Sequence, residues 1–512
     1  MSSAKSHKSG LLSTELGKAA PKKRHELVSD SITTGLVFAL LLTVGQRVIG
    51  FGRGILFCHF MTDQELGQWS MVWSYLMLMA PLAVLGLPGC FGKYSEYYRQ
   101  RGQLKSFVGR IAIISFVMTG MLATAVFMMP EKFCWILFRD TENVQLVRWI
   151  SVALLFVGAS NFLSTLMESL RQVRVVTLMR FITGVSFAGV GVLLLACFEA
   201  KSSAATAGFA IACMLGSIPA FWVLWHCRDS FNNDGDTLSH RGMWKRIAPF
   251  AAWLWVSNMA TNLFEVSDRY MLIHWSSGTA EVAQASVGQY HSGRVVPLLL
   301  VGVAAMLAGV LLPYLSESWE KGRKDLAAKQ LNWAIKLTAI CFTVGSVVLL
   351  LMAPILFDWI LEGRYNDGLA VLPMTLVYCI WFGLHTIGQD YLWVAEKGKW
   401  ATFATGLGLC VNLVLNMVLI PIIGLQGAVL ATATGNLLIV VLLFCLNHRL
   451  GCKTDLGIWL CAFIPMILLL SKPMAIVAAI YLVGICVGTN LIFSFDERRE
   501  IYAIVKDRIG RA

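Results

Sequence analysis

The chain has 512 residues, 57% of them hydrophobic and 14% charged, with a formal net charge of +12 and a mean hydropathy of +0.67. A water-soluble protein of this size cannot hide that much apolar surface, whereas a bilayer removes the need. Backbone groups in hydrocarbon must bond internally, and long apolar runs without strand-like alternation select helices over a barrel.

In chain order, residues 1–30 are polar, basic and Ser-rich, and read as a disordered cytoplasmic tail with no removable signal peptide. Apolar runs then place spans near residues 33–58, 69–91, 107–129, 146–170, 175–198, 206–226 and 248–274. A second set follows near 290–315, 333–356, 369–394, 401–423, 425–447, 456–470 and 474–495. In residues 496–512, Ile501, Ile504, Val505 and Ile509 recur at helical spacing among charges, the pattern of a helix lying on the membrane surface. The expectation is an all-α membrane protein of about fourteen transmembrane helices. The 13 cysteines are scattered without a C-x-x-C pair, so packing is expected of them and no metal or cofactor.

The placement of the basic residues argues against a nucleic-acid partner. Of the 42 Lys and Arg, 32 fall on the side of the two termini and 5 on the opposite side. The positive-inside rule then puts both termini in the cytoplasm and requires an even number of spans.

Residues 227–247 form a polar linker containing Asn232-Asn233-Asp234-Gly235-Asp236. It divides the chain into a six-helix lobe (31–226), a second six-helix lobe (248–447) and two additional helices (455–495). Gly67-Gln68-Trp69 and Gly288-Gln289-Tyr290 are 221 residues apart, as are Ser95-Glu96 and Ser316-Glu317. Both lobes start on the same side, so the repeat is parallel, with a pseudo-two-fold axis along the membrane normal.

A charge at the centre of a span costs about 2.5–3.5 kcal/mol, so each needs a reason. In the first span Gln46, Gly50 and Arg53 share a face, with Arg47 beside them. In the seventh, Asn258, Asn262, Glu265 and Arg269 form one polar stripe at i, i+4, i+7 and i+11. Arg294 lies in the eighth span and Arg148 early in the fourth. Across facing lobes these residues predict a basic central cavity for an anionic group such as phosphate, which arginine grips with a forked, permanently charged head. The competing reading is local pairing, Glu265 with Arg269, and snorkelling of Arg148. Asp268 is an acid without a local partner, suited to a coupling ion or proton, or to an arginine on another helix. Asn412 and Asn416, with Pro421, Gly424 and Gly427, read as helix-packing residues. An enzyme is disfavoured: His385 and Asp390 do not share a helical face, Asp234-Gly235-Asp236 lies in a linker, and no cluster of acids, bases or ligands appears.

The block from Asn412-Leu413-Val414-Leu415-Asn416 through Pro421, Gly424, Gly427 and Ala428 resembles the N-x-x-L-N…L-I-P-x-x-G-x-x-G-A signature of the multidrug/oligosaccharidyl-lipid/polysaccharide exporter superfamily. Gly67-Gln68-Trp69, Leu85-Gly86-Leu87 and the basic loop after the second span are similar to its polysaccharide branch, the O-antigen-type flippases. Arg47-Val48-Ile49-Gly50-Phe51-Gly52-Arg53, together with Arg294, Val301-Gly302-Val303 and Leu311 to Ser316, resembles lipid II flippases. In that family the matching arginines line the cavity and bind pyrophosphate, which implies the same for Arg47, Arg53 and Arg294. Two departures favour the polysaccharide branch: Gly54 stands where an acid is expected, and Met77 to Pro81 where a basic pair is expected. The resemblance implies flipping of a polyprenyl-pyrophosphate-linked saccharide by rocking lobes, with the last two helices helping to house the lipid tail. Candidate partners are that anionic lipid, membrane lipids, a coupling proton or sodium ion and a polysaccharide polymerase. The alternatives are lipid II flipping and cation-coupled drug export.

Overall fold

The computed structural model describes residues 32–198, 201–227, 238–452, 454–495 and 497–499. The expected tail 1–30 and all but three residues of the expected surface helix 496–512 lie outside the described residues, as does the centre of the linker. The first eight helices are α1 (Ile32–Phe60), α2 (Asp63–Ala83), α3 (Phe91–Arg99), α4 (Leu104–Met128), α5 (Pro130–Phe138), α6 (Val144–Ser169), α7 (Val173–Cys197) and α8 (Lys201–His226). Then come α9 (His240–Trp275), α10 (Ala280–Val295), α11 (Leu298–Glu320), α12 (Lys324–Pro354), α13 (Asn366–Gly388), α14 (Asp390–Val394), α15 (Gly398–Arg449), α16 (Leu456–Phe463) and α17 (Lys472–Gly488). No strand occurs among the described residues.

Helix is present at each of the fourteen apolar segments. By length and apolarity, eight of the described helices qualify as membrane spans, or nine if α2 and the helix bent from it by 63° count as one. The difference from fourteen has physical causes. Helix α9 carries a polar stripe, and the last two apolar segments are short. Helix α15 holds two segments end to end, broken where Gly424 adopts φ 55°, ψ −127°, a conformation open to glycine alone.

The two halves meet on α2, which packs against α10 and α9. The paired Gly-Gln motifs make this crossing. A methyl group on Gly67 would sit 1.8 Å from the Gln284 carbonyl oxygen, and one on Gly288 would sit 1.8 Å from that of Asp63. Asp63 and Gln284 are themselves 221 residues apart, so the contact obeys the repeat. Gln68 Nε2 donates to Gln284 Oε1 (2.9 Å), and Gln289 Nε2 donates to Asp63 Oδ2 (3.3 Å). Each glutamine is tied into its own half as well: Gln68 Oε1 accepts from Ser202 (2.9 Å), and Gln289 Oε1 from the Gly368 amide (3.1 Å). A capping box, in which Thr62 and Glu65 satisfy each other's backbone amides, starts α2 at this end.

Helix α9 belongs to both halves. Met243, Ile247 and Ala251 are buried in the core built from α3, α4, α6 and α7, whereas Phe264 packs with Ala404, Leu409 and Ile439 of α15. It begins at His240, inside the stretch expected to be linker, because the apolar residues Met243 and Ile247 have a neighbouring core to enter.

Candidate functional site

A cavity of about 480 Å³ lies between the halves, beside the α2–α10 crossing. Helix α1 contributes Gln46, Arg47 and Arg53, α9 contributes Glu265, and α10 contributes His291. Small residues make room for these side chains. A methyl on Gly302 would meet the Arg47 guanidinium at 3.2–3.3 Å, and one on Gly184 would meet Gln46 Cγ at 3.0 Å. The α1-side half of the cavity is aromatic, with Phe57, Trp69, Trp73, Phe187 and Phe209 in mutual ring contact. The Arg53 guanidinium stacks 4.2 Å from the Phe187 centroid, which holds a cation in place without neutralising it.

The remaining candidates lie elsewhere. Arg269 is buried and donates from Nη1 to Ser74 Oγ (2.7 Å); Ser74 in turn donates to the Ser70 carbonyl (2.7 Å). His291 shares a hydrogen bond with Ser70 Oγ at 3.2 Å, so one face of α2 connects Arg269 to the cavity wall. Arg294 is buried against the Tyr290 ring (5.2 Å), and its Nε and Nη1 have no hydrogen-bond partner among the described residues. Asn258 is exposed and Asn262 half-buried, and neither lines the cavity. Arg148 lies near the Phe127 ring (5.9 Å), away from this site.

Asp268 is buried away from this cavity. Its carboxylate accepts from Tyr290 Oη (2.8 Å), Asn412 Nδ2 (3.0 Å), Asn416 Nδ2 (2.9 Å) and Thr432 Oγ1 (2.5 Å), and it forms no ion pair among the described residues. Ser267 Oγ donates to Asn412 Oδ1 (3.0 Å) and completes the set. Four neutral donors hold the charge without an opposite charge of their own. Sequence reasoning gave Asn412 and Asn416 a structural role, bonding across helices, and passed over Thr432, Ser74 and His291 and the hydroxyl of Tyr290. The i, i+4 spacing of the two asparagines was the available signal; their partner lies 144 and 148 residues away.

A family model described as "Polysaccharide biosynthesis protein" matches residues 32–319, more than half of the chain. The chain belongs to the polysaccharide biosynthesis protein family. A second model, "Lipid II flippase MurJ", matches residues 270–495. Among curated proteins, the chain is 21% identical over 448 residues to the lipid II flippase MurJ of Bacillus subtilis (strain 168), covering 80% of this chain and 81% of that protein. It is 23% identical over 423 residues to the uncharacterized membrane protein YabM of the same organism, covering 78% and 77%. Among solved structures, a lipid II flippase MurJ in an inward closed conformation superposes with a TM-score of 0.68 at 14% identity, covering 88% of this chain and 98% of that one. An inward-facing multidrug resistance MATE transporter of the MOP superfamily gives 0.60 at 14% identity, covering 81% and 98%. This member of the polysaccharide biosynthesis family is therefore a multi-pass protein of the cell membrane with the MOP-superfamily fold.

Proposed function

We propose that this protein flips a polyprenyl-pyrophosphate-linked oligosaccharide from the cytoplasmic to the outer leaflet during surface polysaccharide synthesis. The observation that carries this reading is the cavity between the halves, where two arginines face one carboxylate beside an aromatic wall. Guanidinium groups fork onto phosphate oxygens, and aromatic faces pack against the C–H faces of sugar rings. The polyprenyl tail stays in lipid while the head group crosses. Arg269 and Arg294, buried just behind the cavity, supply further positive field and come within reach when the halves move. With the termini in the cytoplasm, the α2–α10 crossing is the outer gate, and the cavity loads from inside. Asp268 and its donors are the site where a sodium ion or proton couples to this motion.

Arg53→Ala and Arg269→Ala each abolish saccharide translocation while membrane expression is retained; normal surface polysaccharide in both variants would overturn the proposal. A second reading, lipid II flipping, is favoured by the MurJ model match over residues 270–495. Rescue of a strain depleted of its lipid II flippase, with no effect on surface polysaccharide, selects that reading instead.

A further inference from the structure

We propose that the end of the first lobe formed by α3 and the start of α9 binds an anionic phospholipid, its phosphate held by Arg101 and Arg246. The two guanidinium carbons each lie 3.9 Å from the centroid of the same ring, Tyr97, and so no more than 7.8 Å apart. Both arginines are exposed, and Lys93 stacks nearby on Phe250 at 4.5 Å. None of Lys93, Arg101, Lys105 and Arg246 forms an ion pair among the described residues, whereas Arg99 and Arg180 are paired with Glu96 and Glu168. Like charges gathered on one ring repel unless an anion neutralises them. Arginine binds phosphate oxygens through forked, charge-assisted bonds, so an anion drawn to this pair meets two guanidinium groups with no carboxylate partner among the described residues.

The lipid's chain has a place too. Lys105 follows Arg101 across the α3–α4 turn and stands at the end of an apolar groove of about 330 Å³ between α4, α6 and α8. The groove is lined by Gly109, Phe116, Phe162 and Phe221, among others. Phe116 and Phe221 are among the exposed apolar side chains, so the groove faces the surrounding lipid and not the cavity between the halves. Helix α3 is turned 63° from α2 and buries Phe91, Tyr94 and Tyr98 on one face while Lys93, Glu96 and Arg99 face outward, the arrangement of an interfacial helix. A basic end on a lipid-facing apolar groove fits a phospholipid with a net negative head group. The orientation proposed above decides only that this lipid comes from the inner leaflet.

The test is retention of phosphatidylglycerol by the full-length protein after delipidation, read by native mass spectrometry against phosphatidylcholine. Arg101→Gln with Arg246→Gln weakens phosphatidylglycerol binding by about fivefold per arginine and leaves phosphatidylcholine binding unchanged. Gly109→Leu, whose side chain enters open space, weakens it as well by filling the groove without removing a charge. An unfolding temperature equal to that of the parent chain certifies each variant, and Lys105→Gln replaces the double variant if that falls short. Unchanged phosphatidylglycerol retention overturns the proposal, as does an equal loss of both lipids. Loss of farnesyl diphosphate binding with phosphatidylglycerol retained assigns the arginines to the transported head group, and also overturns it. No arm reads transport, so the outcome is independent of the proposed function.

Discussion

Asp268 shows how a single buried charge can be held without an opposite charge beside it. Moved into hydrocarbon alone it would carry a cost of several kcal/mol, which its four donors offset. Asp268→Asn keeps an acceptor oxygen for those donors but removes the charge. The expected outcome is an unchanged unfolding temperature with transport slowed about tenfold, inside the usual range of about 5–150-fold for coupling between sites. The residual transport should no longer respond to sodium or proton gradients. A variant that still accelerates with either gradient removes Asp268 from the coupling step. The residue-scale pattern was half visible in the sequence. Helical spacing exposed the stripe from Asn258 to Arg269, because periodicity is a local property. It could not show that Arg269 turns to Ser74, 195 residues away, or that both asparagines serve Asp268, because those partners are set by how helices pack.

At the scale of elements, the α2–α10 crossing depends on two hydrogen atoms where other residues carry side chains. Gly67→Ala or Gly288→Ala drives a methyl into a backbone carbonyl, and overpacking of this kind costs about 1–3 kcal/mol unless the helices part. Spin labels at Gln64 and Glu281 should therefore report a wider separation in either variant than in the parent. Equal distances would show that the crossing tolerates a side chain and is no gate. A second contact between elements is ionic. Lys336 on α12 is fully buried and bonds to Asp455 (2.5 Å) and Glu497 (3.0 Å), clamping the start of α16 and the chain beyond α17 against the second lobe. Loss of one partner from a buried pair costs about 3–5 kcal/mol; with Asp455 half exposed, Lys336→Met should cost about 2 kcal/mol, measured as a lowered unfolding temperature. Sequence reasoning did not single out this lysine, since its carboxylate partners lie 119 and 161 residues away. Helix positions were far more legible, because a bilayer imposes long apolar runs on any helix that crosses it. The break at Gly424 fell between two segments already separated on apolarity.

For the whole molecule, the asymmetry of basic residues makes a claim the helices alone do not. With both termini in the cytoplasm, a phosphatase reporter active only outside the cell should be silent when fused after Ala512 and active when fused in the turn at Ser471. The reverse result would invert the gate, the loading side and the leaflet assigned to the phospholipid together. The Gly-Gln motifs 221 residues apart were legible as short matches, and their glycines and glutamines make the contact between α2 and α10. The boundary of those halves was less legible, because polarity marks where a chain leaves the membrane and not which core its next helix will join.

That boundary has a consequence for how the protein can be taken apart. The first lobe completes its core with Met243, Ile247 and Ala251, which come from beyond the linker. A cut within residues 228–237 therefore leaves each fragment incomplete: one lacks a strip of its own interior, and the other carries that strip bare. Neither piece should persist alone in a cell, yet the two co-expressed should rescue each other by returning the end of α9 to its slot. The same chain that joins the lobes also makes them mutually obligate.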